Sequence, residues 1–135
     1  MLDLKSRLTA FISLATAARN SNSEVNGTGV SLAGHHSAVA VVTTGTVTDG
    51  THTIKMEESD DGGDNWTDVA AADLTQAFTA IVAADDDETQ IVGYKGKSGM
   101  IRATVTDATS TTGAILGVNF VLSDEAQAGG SSIIA

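Results

Sequence analysis

Residues 56–69, "MEESDDGGDNWTDV", gather six acidic residues and two glycines around the only tryptophan of a 135-residue chain. Calcium ligation, carboxylate catalysis and a structural turn all draw on such a cluster. An EF-hand loop needs oxygen ligands at alternate positions, glycine at the sixth and glutamate at the twelfth. Counted from Asp60, the third position is Gly62, the sixth Asn65 and the twelfth Ala71, so the register fails. Glycoside hydrolysis needs two carboxyls at a set separation in a cleft, one of them desolvated, whereas acids crowded on a glycine-rich tip are solvated. His35 and His36 are adjacent and would point to opposite faces of a strand, which suits a surface or subunit-contact role better than a shared metal. His52 has no partner at ligand or triad spacing. Without cysteine there is no thiolate site, and no nucleophile elbow or phosphate-cradling loop occurs. The reading is of a protein that is not an enzyme and uses no metal or cofactor.

The turn reading fits the spacing. Ser59-x-Asp61-x-Gly63-x-x-Trp66 resembles the Asp-box, a hairpin-tip motif of sialidase propellers and many unrelated β proteins. The resemblance implies that the aspartate accepts backbone N–H bonds across the turn, the glycine takes a positive φ, and the aromatic ring packs beneath. One box in a chain of this length builds no propeller and implies no sialidase chemistry.

Net charge is −10, and residues 57–88 hold eleven of the seventeen acids and no base. The remaining six acids face seven Lys and Arg, a balance of +1. Phosphate contacts need clustered cations, so nucleic acid is not an expected partner. Lys95, Lys97 and Arg102 gather around "GYKGKSGMIR" as a solubilising loop or a contact for an acidic neighbour. The five aromatics, at 4%, are few for the stacking platforms of a glycan-binding module. No apolar run approaches a membrane span. Lys5 and Arg7 before "LTAFISLATAA" imitate a secretory leader, but Asp3 and the interspersed Thr and Ser argue that the stretch is structural.

Strand signals dominate from residue 28. "SAVAVVTTGTV" and "THTIKMEES" read as a hairpin turning at Asp49-Gly50, followed by "WTDVAA", "ETQIVGYKG", "GMIRATVTDA" and "GAILGVNFVLS". In "GMIRATVT", Ile101, Ala103 and Val105 alternate with Arg102, Thr104 and Thr106, one face buried and one wet. "SAVAVV" and "AILGVNFVL" lack clean alternation and read as strands buried on both sides or at a subunit contact. Residues 4–15 fit a helix or a strand, with extended structure favoured, and 70–82 suggest a short helix turning Leu74, Phe78 and Ile81 inward. The expected fold is all-β: a small antiparallel sandwich or barrel, jelly-roll-like, with flexible terminal arms. Its divisions are an N-terminal arm or first strand (1–27), a β domain (28–123) and a Gly-Ser tail (124–135). Leu4, Leu8, Phe11, Ile133 and Ile134 lie outside the central strands and are candidate anchors on a partner.

In order, "GTVTDGTHTIKMEESDDGGDNWTDV", "IVGYKGKSGMIRATVTDATSTTGA" and a final apolar strand resemble a family of small proteins encoded among the head genes of tailed phages. The resemblance spans residues 28–122. It implies a capsid decoration or cement protein on the virion exterior, made in the host cytoplasm, binding across major capsid protein subunits in many copies, with a homo-oligomer, a trimer foremost, as its unit. A carbohydrate-binding or adhesin-like module is the alternative.

Overall fold

The computed structural model describes residues 3–124. After a 3-10 turn at Lys5–Arg7 the described residues form nine strands: β1 (Leu8–Arg19), β2 (Glu24–Asn26), β3 (Val30–Ser31), β4 (His35–Val47), β5 (Thr51–Ser59), β6 (Thr67–Asp68), β7 (Thr89–Tyr94), β8 (Met100–Ala108) and β9 (Ala114–Asp124). One sheet runs β1-β9-β4-β7 and the other β2-β8-β5-β6, all pairs antiparallel. β3 pairs β8 beyond β2, so β2 and β3 are two halves of one interrupted edge strand. Counted so, eight strands form two four-stranded sheets, with first beside last and second beside seventh. That is the jelly roll.

Period-two burial drives the packing. Ile101, Ala103 and Val105 on β8 are buried, as their alternation requires, but the opposite face is wet only in part: Thr106 is exposed and Arg102 half-buried, whereas Thr104 is fully buried. β4 and β9 are buried on one side only: Ala38, Ala40 and Val42 face inward with Leu116, Val118, Phe120 and Leu122, while Val39, Val41 and Val121 stay half-exposed and Ile115 and Asn119 exposed. Their apolar runs come from placing aliphatic residues on the outward face as well.

Two expectations are corrected. Asp49-Gly50 does not close a paired hairpin, because β4 and β5 belong to different sheets. The turn crosses between them, beside the β8–β9 crossing. Residues 70–82 hold only a 3-10 turn, Ala71–Asp73; the segment then runs extended, bridging Leu74 to Tyr94 and Ile81 to His52. Ile81 is buried, and Leu74 and Phe78 pack against the core, without a helix to carry them. Over Leu8–Arg19 the N-terminal stretch takes the extended form favoured for it, as a first strand at the sheet edge paired along β9 rather than an arm.

β1 also joins the two sheets. Its register shifts after Ile12, and buried Ser13 enters the gap between β2 and β3. Ser13 Oγ donates to the Thr28 carbonyl and accepts from the Ala103 N–H, both at 2.9 Å, and Thr28 N–H donates to the Ser13 carbonyl. Gly27 is required at this seam, since a Cβ would lie 2.5 Å from Ser13 Oγ and 2.6 Å from the Ala103 carbonyl.

Candidate functional site

The acidic turn lies between β5 and β6. Asp61 Oδ1 accepts from Ser59 Oγ (2.7 Å) and the Asn65 N–H (2.9 Å), and Oδ2 from Asn65 Nδ2 (2.7 Å). Ser59 Oγ in turn accepts the Gly63 N–H at 3.0 Å, and Trp66 Nε1–H donates to the Gly63 carbonyl at 2.9 Å. Gly63 has φ +97° and Gly62 φ +77°, the left-handed region in which side chains are strained. Gly63→Ala is therefore expected to cost about 1–3 kcal/mol. Among the described residues no group of three or more His, Asp or Glu is placed to hold a metal ion. EDTA should leave the melting temperature where it is; a drop reversed by calcium would contradict this account of the turn.

The Asn65 backbone N–H, with help from the Asn65 and Ser59 side chains, holds the Asp61 carboxyl down to about 2. Asp49 is lowered in the same way by the Gly113 N–H first, then those of Thr111 and Thr112. Both pKa values fall on folding, so both carboxylates contribute stability above the unfolded value of about 3.9 and lose it as pH falls below. The melting temperature should hold between about pH 5 and 7 and decline from about pH 4 towards 2, with Asp61→Asn shallower in that window. A flat profile from pH 4 to 2 would contradict it.

Behind the turn, the outer face of the β2-β8-β5-β6 sheet carries an ion-pair ladder. Lys55 Nζ lies 3.4 Å from Glu24, 3.3 Å from Glu57 and 3.0 Å from Asp68, and the hydrogen bond to Asp68 foremost raises its pKa. Arg102 Nε and Nη2 both reach Glu57 Oε1 at 2.7 Å, and its guanidinium carbon lies 4.5 Å from the Trp66 ring centroid. Trp66 is thus held between Arg102 and the Gly29–Met100 surface, and Arg102 is committed within the chain rather than offered with Lys95 and Lys97. The latter two are exposed on the loop between β7 and β8, where Lys97 helps line a cleft of about 310 Å³ with His35 and His36.

The opposite sheet has another character. Leu4, just before the 3-10 turn, and Phe11 on β1 are exposed and Leu8 is half-exposed, while Ile133 and Ile134 lie outside the described residues. Phe11 stacks edge-on against His35 at 6.3 Å. Two rows cross the whole outer face of this sheet, Ile12–Asn119–Val41–Ile91 and Ala10–Val121–Val39–Gly93. They contain no charged residue.

The polar group that spacing did not reveal is internal. His52 is fully buried; Nδ1 lies 2.8 Å from Asp107 Oδ1 and Nε2 3.1 Å from the Asp49 carbonyl. Ser21 Oγ donates to Asp107 Oδ2 at 3.2 Å. The Ser, His and Asp identities suggest a triad, but both ring nitrogens are occupied and no face of the ring reaches solvent, so the group cannot meet a substrate. It ties together instead. Asp49 Oδ1 accepts the N–H groups of Thr111, Thr112 and Gly113 at 2.7–3.1 Å, joining the two sheet crossings. The pair stands 55 residues apart in sequence, a separation without motif value.

No helix among the described residues is long and apolar enough to cross a membrane. Compared with family models, with curated proteins and with solved structures, the chain matches none.

Proposed function

We propose that this protein is a structural component of a tailed-phage particle, decorating the capsid by binding across neighbouring major capsid protein subunits. The observation that carries the reading is the segregation of charge between the two sheets. One outer face bears the ion-pair ladder and the acidic hairpin, which suits solvent; the other has charge-free apolar rows, which suit burial against protein. A cement function uses interface area repeated over many copies and asks for no catalytic group. The jelly roll is compatible with this and equally with a lectin, so the fold lends only analogy. The carbohydrate-binding alternative asks for exposed rings, and Trp66, the largest, is covered by Arg102.

The test is shell stability. Purified protein added to expanded shells that lack it should raise the temperature at which they come apart, saturably. Shells melting alike with and without it, together with binding on a glycan array, would replace this reading with the alternative.

A further inference from the structure

We infer that the outer face of the β1-β9-β4-β7 sheet is a contact between two copies of this chain. This concerns the free protein and goes beyond the capsid reading; since that reading buries the same face, a copy seated on a shell exchanges its partner copy for the shell.

Exposure is concentrated there. Ile12 is 61% exposed, Ile91 55% and Ile115 43%, with Val39, Val41 and Val121 half-exposed between them. Packed aliphatic rows of this kind on a sheet are normally covered. The edges offer less: residues 73–75 run beside β7, with Thr75 N–H donating to the Gly93 carbonyl and Lys95 N–H to that of Asp73, and β1 is bent inward at Ser13. Association therefore falls to the face rather than to an added strand.

Charge selects the occupant. Each copy carries −10, so pairing through the acidic hairpin would set like charges together. A two-fold contact requires a patch that complements itself. A patch of one charge sign cannot; an uncharged apolar one can. Four strands at about 4.8 Å spacing, over the rise of about eight residues, span roughly 500 Å² per copy. A pair would then bury about 1,000 Å², the lower bound of a specific interface. Asp85, Asp86, Asp87 and Glu88 precede β7 at the end of this sheet, where Asp86 Oδ1 accepts the Val47 N–H, so they sit on the rim and repel weakly across the contact. The contact pairs copies and does not close a ring of three.

Sedimentation equilibrium of the full chain, from micromolar to hundreds of micromolar, tests this. A monomer–dimer equilibrium is expected, and it should hold or tighten as salt screens the rim acids. Val41→Lys and Ile91→Lys should each weaken it by about tenfold or more. Thr53→Lys, on the other sheet, changes net charge equally and should leave it unaltered. Thermal melts of all three confirm folding; should either face variant melt early, Ile91→Ser serves as the milder substitution. A wild-type protein that stays monomeric, assembles as a trimer, or dissociates with added salt would overturn the inference, as would face variants that associate like the parent.

Discussion

Replacing Asp107 with alanine is expected to destabilise the domain by about 3–5 kcal/mol, because it leaves the buried His52 ring facing nothing at Nδ1 and frees Ser21 as well. The loss is local in chemistry and global in effect. His52 sits on β5, Asp107 on β8, and the Asp49 carbonyl at the crossing from β4, so the pair fixes the end of the sandwich where both crossings meet. His52→Leu should also destabilise by stranding Asp107. The double variant His52→Leu with Asp107→Leu should cost less than the sum of the singles, since neither buried polar partner is left without the other. Urea unfolding followed by Trp66 fluorescence measures all three. Single-variant effects below about 1 kcal/mol would show that the pair is not a tie.

Phe120→Ala is expected to cost about 3–5 kcal/mol, through lost burial and the cavity left in the centre of the core. Phe120 is fully buried on β9, flanked across the sheet by Phe11 and Ala40, and neither neighbour is large and buried enough to fill the space. Ile115→Ala, on the same strand but the outward face, should cost less than about 1 kcal/mol in dilute protein. Equal costs at the two positions would mean that β9 is buried on both faces.

Those two positions also mark what the amino-acid pattern could convey. The inward face of β8 was legible because Arg102, Thr104 and Thr106 interrupt its apolar residues, although Thr104 is itself buried on the other face. On β4 and β9 the outward residues are themselves Val and Ile, and the alternation disappears although the burial alternates. The Asp49-Gly50 turn was visible as a turn but not as a crossing, since its partners Thr111, Thr112 and Gly113 lie more than sixty residues away. Residues 70–82 carried helical spacing at Leu74, Phe78 and Ile81, yet long-range bridges to Tyr94 and His52 outweigh what one or two helical turns gain from local hydrogen bonds. Leu8–Arg19 fitted two periods until β9 supplied a pairing partner. Of the site, the Ser59–Trp66 turn could be located from eight residues because its hydrogen bonds are local; the His52–Asp107 pair and the Ser13 seam could not, because theirs are not.

The capsid proposal is tested most directly by co-sedimentation of the purified protein with expanded tailed-phage shells that lack it. Binding should saturate at a fixed number of copies per shell and persist in salt, with the acidic hairpin variant Asp60→Ala binding as the parent does. Protein left in the supernatant at every concentration, with shells intact, would contradict it.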